Sequence, residues 1–415
     1  MILIAPAVLA CRPAVSESGP EVPHEYAARI QRTSFGVPHV DALDEKGLGY
    51  GLGYAFAQDN VCTLAEQIAT VNGERSLYFG SDGTYDPGGD DHPIGNLASD
   101  LYMAVLNEEG RVAATWASQP EEIRDLVRGY AHGVNRYLHD APTLPEACRG
   151  QPWVREITEL DLMRVLRRFA VEASGSQFIE EMAAAQPPAA SSRQAAMARP
   201  SDAELLSRYR VSLGSNGVAF GSEVTASGAG LLLAAPHYPW QGPYRFYEAQ
   251  LTIAGKVDVF GATLSGLPII GIGYNAHVAW THTVNSSRHF AFYQLQLDPQ
   301  DSTRYMVDGE SRAMTATDVE VRVCGPGGGI ATEHHRVWST ELGPLVVIPG
   351  FLEWSERTAY AFGDANVENT RLLQTWWAMN RAVSLDELRA AVEGTLGIPW
   401  VNTVAVDAAG TAYLG

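Results

Sequence analysis

The chain changes texture at one place, Gly214-Ser215, and that change limits what it can fold into more than any other feature. Up to about residue 185 the apolar residues recur at helical spacing. Ile123, Leu126, Val127, Tyr130, Val134 and Leu138 form one stripe, opened by Pro120 and Glu121-Glu122, and Leu162, Val165, Leu166 and Phe169 form another. Short strands are expected before them, over 26–32 and 36–40. After Ser215 the pattern alternates, which predicts strands over 244–253, 256–260, 278–282 and 290–297. Two late helices follow over 371–379 and 384–392, then two last strands. Strands in one long block flanked by helices point to an α+β fold rather than βαβ alternation.

Between the two textures the composition shifts to Pro, Ala, Ser and Gln over 186–201. Such a run has too little apolar surface to offset its ordering entropy. It reads as a flexible linker or as a spacer removed on maturation, and its place just before Gly214-Ser215 favours the spacer. The glycine run over 47–54 superficially suggests a phosphate loop. It has no Gly-Lys-Ser/Thr after it and merges into a helix over 57–69, so the glycines read as close helix packing.

A serine at the junction can do two jobs. Its hydroxyl can attack the carbonyl of Gly214, and after cleavage its own α-amine becomes a base beside that hydroxyl. A free α-amine titrates at about 7.7–8.0, a range suited to general-base work near neutral pH. Gly-Ser-Asn alone is an ordinary turn signature. Here a strand follows through Val218 and Phe220, a turn over 225–230, and a second strand that returns as Pro236-His237-Tyr238. That hairpin brings His237 towards Ser215.

Residues 265–275 and Val278-Ala279-Trp280-Thr281-His282-Thr283-Val284 complete an ordered series. With the nucleophile junction and the Pro-His, it resembles the penicillin acylase family of N-terminal-nucleophile hydrolases. The branch it most resembles is that of acyl-homoserine-lactone, aculeacin A and penicillin V acylases. The resemblance covers 26–415 and is weak only in the spacer. It implies an αββα sandwich, two antiparallel sheets between helical layers. It also implies cleavage between Gly214 and Ser215, Ser215 as nucleophile, His237 holding its amine or hydroxyl, and the Val284 N–H in an oxyanion hole. The acyl pocket would be walled by Tyr238, Leu264, Ile272, Trp376 and Trp400, with Gly271 where lactone acylases often carry a larger polar residue. The substrate class implied is a small hydrophobic N-acyl compound such as an acyl-homoserine lactone or an acylated lipopeptide, with no cofactor. The alternatives are a penicillin V or other β-lactam acylase and a catalytically silent binding homologue. The family's second oxyanion donor, an asparagine with an arginine behind it, would lie beyond residue 415, so the chain is expected to be a fragment that lacks the rest of the large chain.

The resulting organisation is a signal and tether over 1–24, a helical small chain over 25–185, a spacer over 186–214 and the start of a large chain over 215–415. After processing the two chains would form a heterodimer. Over 415 residues the formal net charge is −19, which argues against a nucleic-acid partner, since phosphate binding needs clustered Lys and Arg. The apolar start ending in Ala10-Cys11 resembles the tail of a lipoprotein signal, although the basic n-region is missing. It points to a periplasmic or extracytoplasmic protein, with Cys11 as lipidation site. In such a compartment Cys62 and Cys148 can pair, which would leave Cys324 free. No metal site is expected: neither His334-His335 nor Asp90-Asp91-His92 has a partner at ligand spacing.

Overall fold

The computed structural model describes residues 26–88, 93–188, 214–285, 287–325 and 328–415. In chain order the first strands are β1 (Ala28–Arg32), β2 (Pro38–Ala42), β3 (Thr84–Tyr85) and β4 (Ile94–Gly95). After the junction come β5 (Gly214–Phe220), β6 (Leu231–His237), β7 (Tyr247–Ile253), β8 (Val257–Thr263), β9 (Ile272–Tyr274) and β10 (Val278–Val284). Next are β11 (Phe290–Asp298), β12 (Asp301–Val307), β13 (Glu310–Ala313), β14 (Thr315–Cys324), β15 (Ile330–Thr340), β16 (Gly343–Pro344) and β17 (Thr358–Asp364). The last are β18 (Val401–Asp407) and β19 (Ala412–Leu414). Long helices occupy Glu45–Val71, Glu121–Asp140 and Glu159–Ala170 before the junction, and Leu372–Arg381 and Leu385–Thr395 lie late in the chain. The class is therefore mixed α+β.

The expected apolar stripes are the buried ones. Ile123, Leu126, Val127, Tyr130 and Val134 lie in the main core together with Leu162, Val165 and Leu166. Helix Glu159–Ala170 starts at a capping box in which Thr158 and Asp161 satisfy each other's backbone N–H. The glycine run is explained by contact geometry: a Cβ on Gly49 would lie 2.1 Å from Leu126 O, and one on Gly53 2.2 Å from Tyr130 O. The two long helices cross at a distance that only glycine allows. No phosphate-binding turn forms, because the glycines lie inside helix Glu45–Val71.

The main sheet has eight strands in the order β1-β2-β7-β8-β9-β10-β18-β19. Its β2–β7 pair is parallel, with His39 opposite Gln250 and Ala42 opposite Ile253. The first hairpin of the described residues is thus an edge of the sheet built by the later part, a join that no local pattern signals. Strand β10 shows two faces, as period-2 alternation requires. Trp280 and His282 meet the helices, since the indole of Trp376 on helix Leu372–Arg381 bonds to His282. Thr281 and Thr283 meet the β5–β6 hairpin, where a Cβ on Gly217 would lie 2.9 Å and 3.2 Å from their methyl carbons. Strands β11 to β17 form further small sheets away from this region.

Cys62 and Cys148 are joined by a disulfide, the pairing that the sequence allowed without fixing. Cys324 corrects the cysteine count: expected as a leftover thiol, it is itself disulfide-bonded. Counting cannot see which thiols a fold brings together. Cys11, residues 1–24, most of the spacer and Asp90-Asp91-His92 lie outside the described residues.

Candidate active site

Ser215 is placed by the β5–β6 hairpin, in which it lies opposite Pro236 while Gly214 lies opposite His237. Directly opposed residues share a face and alternate ones do not. Ser215 and Pro236 therefore face the main sheet, and His237 lies over Gly214 on the other side. The imidazole Nε2 is 3.3 Å from the Asn216 side-chain nitrogen. A Cβ on Gly214 would be 3.4 Å from its Nδ1. His237 is thus beside the Gly214–Ser215 bond, but among the described residues no hydrogen bond joins it to the Ser215 hydroxyl.

The Ser215 hydroxyl is met from the main sheet. Strand β9 pairs with β10 only at Ala279 and Trp280, so the later part of that edge has no strand beside it. At its end the backbone N–H of Val284 donates to Ser215 Oγ at 3.0 Å. The end of β10 is fixed by Trp400 and by two asparagines, Asn285 and Asn402, that no motif singles out. Asn285 N–H donates to Trp400 O, the Asn285 amide to Asn402 Oδ1 (2.7 Å), and the Asn402 amide to Thr283 Oγ1 (3.1 Å). An N–H held 3.0 Å from a serine oxygen is placed to bond an oxyanion formed on the carbon that oxygen attacks.

The five expected pocket residues come together. Tyr238, Leu264, Ile272, Trp376 and Trp400 line one apolar pocket, with Ser215 and Val284 at its head. Leu264, Trp376 and Trp400 are buried. Phe169, Phe246, Gly271 and His282 also line it. Phe169 comes from the helical part of the chain and lies 5.4 Å from Trp400, ring to ring. Its helix is anchored beneath by a buried pair, Arg168 with Glu172, to which the Tyr244 hydroxyl also donates. The Tyr238 and Phe246 rings lie 4.8 Å apart, tilted by 32°. Burial pushes the Tyr238 phenol well above its ordinary value, and the nearby Glu172 carboxylate adds to the shift.

Three indoles are fixed by their N–H groups: Trp280 donates to Gly271 O (2.8 Å), Trp400 to Phe169 O (3.0 Å) and Trp376 to His282 Nε2 (2.9 Å). Since His282 accepts at Nε2, its proton sits on Nδ1, which faces Asn402 O at 3.3 Å. Burial pushes the imidazole down to about 4, so the ring is neutral. His282 was passed over in the sequence, although its alternation with Val284 put the two on one face.

The remaining candidates lie apart. His334 and His335 sit on β15, 3.7 Å from Glu320 and 3.1 Å from Glu333. Among the described residues no group of three or more His, Cys, Asp or Glu is gathered to hold a metal, and no helix is long and apolar enough to cross a membrane.

Residues 27–414 match the family model described as penicillin amidase. The chain belongs to the penicillin amidase family. An acyl-homoserine lactone acylase PvdQ from Pseudomonas fluorescens (strain Pf0-1) is 49% identical over 393 residues, 93% of this chain and 50% of that protein. The protein of the same name from Pseudomonas putida is 47% identical over 392 residues, covering 94% and 50%. The aculeacin-A acylase of Actinoplanes utahensis is 38% identical over 412 residues, covering 96% and 50%. The chain spans about half the length of these relatives of the family.

Proposed function

We propose that the chain is the nucleophile-bearing part of a self-processing amidohydrolase that cleaves hydrophobic N-acyl amides. The observation that carries this reading is the Val284 N–H on Ser215 Oγ at the head of an aromatic pocket. In maturation the Ser215 hydroxyl attacks the Gly214 carbonyl, and hydrolysis of the ester formed frees the Ser215 α-amine. In catalysis that amine takes the hydroxyl proton, through a water, as Oγ attacks the substrate carbonyl. Val284 N–H stabilises the oxyanion, a contribution of about 3–4 kcal/mol for a donor of this kind. The amine product leaves, and water hydrolyses the acyl-enzyme to the acid. His237 holds the new N-terminus, a role its place over Gly214 supports.

The names of the relatives direct the substrate choice to acyl-homoserine lactones and to acylated peptides of the aculeacin type, with penicillin V as alternative. The aromatic lining suits an alkyl or aryl acyl group. The helices, main sheet and β5–β6 hairpin would form three layers of the αββα sandwich. The small chain 25–185 and the large chain from Ser215 would stay together as a heterodimer, since Phe169 of one packs on Trp376 and Trp400 of the other. The Cys62–Cys148 disulfide supports an extracytoplasmic location.

Intact-mass analysis of the protein beside Ser215→Ala tests the reading. Two chains are expected, the larger starting at Ser215, with a single uncut chain in the variant. A folded native protein that stays uncut would sink the enzyme reading and leave a binding homologue. In the processed protein kcat/KM should rise with pH through about 7–8 as the α-amine loses its proton. A flat profile there would remove the amine from the mechanism.

A further inference from the structure

The acyl pocket has walls that differ in how firmly they are held. The Trp376 indole is fixed at its nitrogen by His282, which is 6% exposed and is itself tied to β18 through Asn402 O and Thr403 Oγ1. The benzo edge of the same indole faces Gly271. A Cβ built on Gly271 would lie 3.3 Å and 3.4 Å from Trp376 Cζ2 and Cη2. Gly271 has no freedom to withdraw, because its N–H donates to Ala262 O and its carbonyl accepts from the Trp280 indole. Any side chain longer than a methyl group there must cover the face of Trp376 or enter the pocket.

Resting on the acylase reading, we propose that Gly271 and His282 together set the length of straight acyl chain that the pocket accepts. His282 does so as a positioning residue that fixes Trp376 as the floor, and Gly271 by leaving that floor bare. The ligand class is an unbranched alkyl acyl group, whose far end lies against the Trp376 ring. Each methylene excluded from such a floor weakens binding by about fourfold.

The test uses straight-chain carboxylic acids of graded length, the expected acid products, as binding probes for the processed protein, followed by thermal shift and by competition with acyl-amide turnover. The unaltered protein is expected to bind more tightly with each added carbon up to a limiting length. Gly271→Leu should lower that limit by several carbons, with a loss that grows with acid length, and the milder Gly271→Ala should lower it by about one methylene. His282→Leu removes the acceptor of the Trp376 N–H and should blunt the limit, whereas His282→Gln restores an acceptor and should sharpen it again. A uniform loss at every length in Gly271→Ala and His282→Leu would mean a merely structural role and overturn the inference, as would length limits equal to the native one. An unaltered protein that binds no acid of any length would overturn the acylase reading first and this inference with it.

Discussion

At the residue scale the site joins one exposed chemistry to one buried geometry. On the proposed function, Ser215 is the nucleophile and the amine that cleavage would free is its base. Val284 is a donor because its N–H is turned to Ser215 rather than to a strand. His282 shows what burial does to a titratable group. Its hydrogen-bond partners Trp376, Asn402 and Thr403 are all uncharged, and the backbone of Asn402 and Gly271 offsets only part of the loss of water. Its ordinary value of 6.5 falls to about 4 in the folded chain. Between those values the unfolded chain binds the proton and the native chain does not. The stability is fully present above pH 6.5 and declines as pH drops to about 4, by about 3 kcal/mol for this group. Denaturant unfolding of native protein and His282→Gln across pH 4–7 would show it: the variant should have the shallower slope, and equal slopes would remove His282 as the cause.

At the scale of elements, glycine decides the helix layer. The Cβ of any larger residue at Gly53 would meet Tyr130 O at 2.2 Å, so Gly53→Val must push helices Glu45–Val71 and Glu121–Asp140 apart. Overpacking of this kind typically costs about 1–3 kcal/mol, and here the obstacle is backbone, which cannot rotate away. Gly394 provides the contrast, since a Cβ there meets nothing within 4 Å inside helix Leu385–Thr395. Gly394→Ala should raise stability by about 0.5–1 kcal/mol through helix propensity alone. Thermal unfolding of both variants checks the pair, and a harmless Gly53→Val would mean that the close crossing is not needed.

At the scale of the whole molecule, two devices hold distant parts together. One is the parallel β2–β7 pairing, which builds the first hairpin into the later sheet. The other is the Cys62–Cys148 disulfide, closing a separation of 86 residues within the helical part. A loop of that size contributes about 2–4 kcal/mol by restricting the unfolded chain. Cys62→Ala combined with Cys148→Ala should lower stability by that amount in denaturant unfolding and leave processing at Ser215 intact. Loss of processing in a folded double variant would tie the disulfide to the site instead.

Several elements around the site, and the junction itself, are legible in the sequence. Apolar spacing marks the stripe from Ile123 to Val134 and a strand over 278–282, which the fold extends to Val284, because helical and strand periods are local properties of the chain. The family resemblance implied Val284 and the five pocket walls beside Ser215, and the fold brings all of these to one pocket. The rest depends on partners far apart in the chain. The entry of β1 and β2 into the main sheet is a parallel pairing with no local turn to signal it. His282 became legible only when Trp376, 94 residues away, was seen to donate to it. The disulfide of Cys324 and the position of His237 over Gly214 are likewise matters of which groups the fold sets side by side. Periodicity reports which face a residue turns to the core, and only packing reports what it meets there.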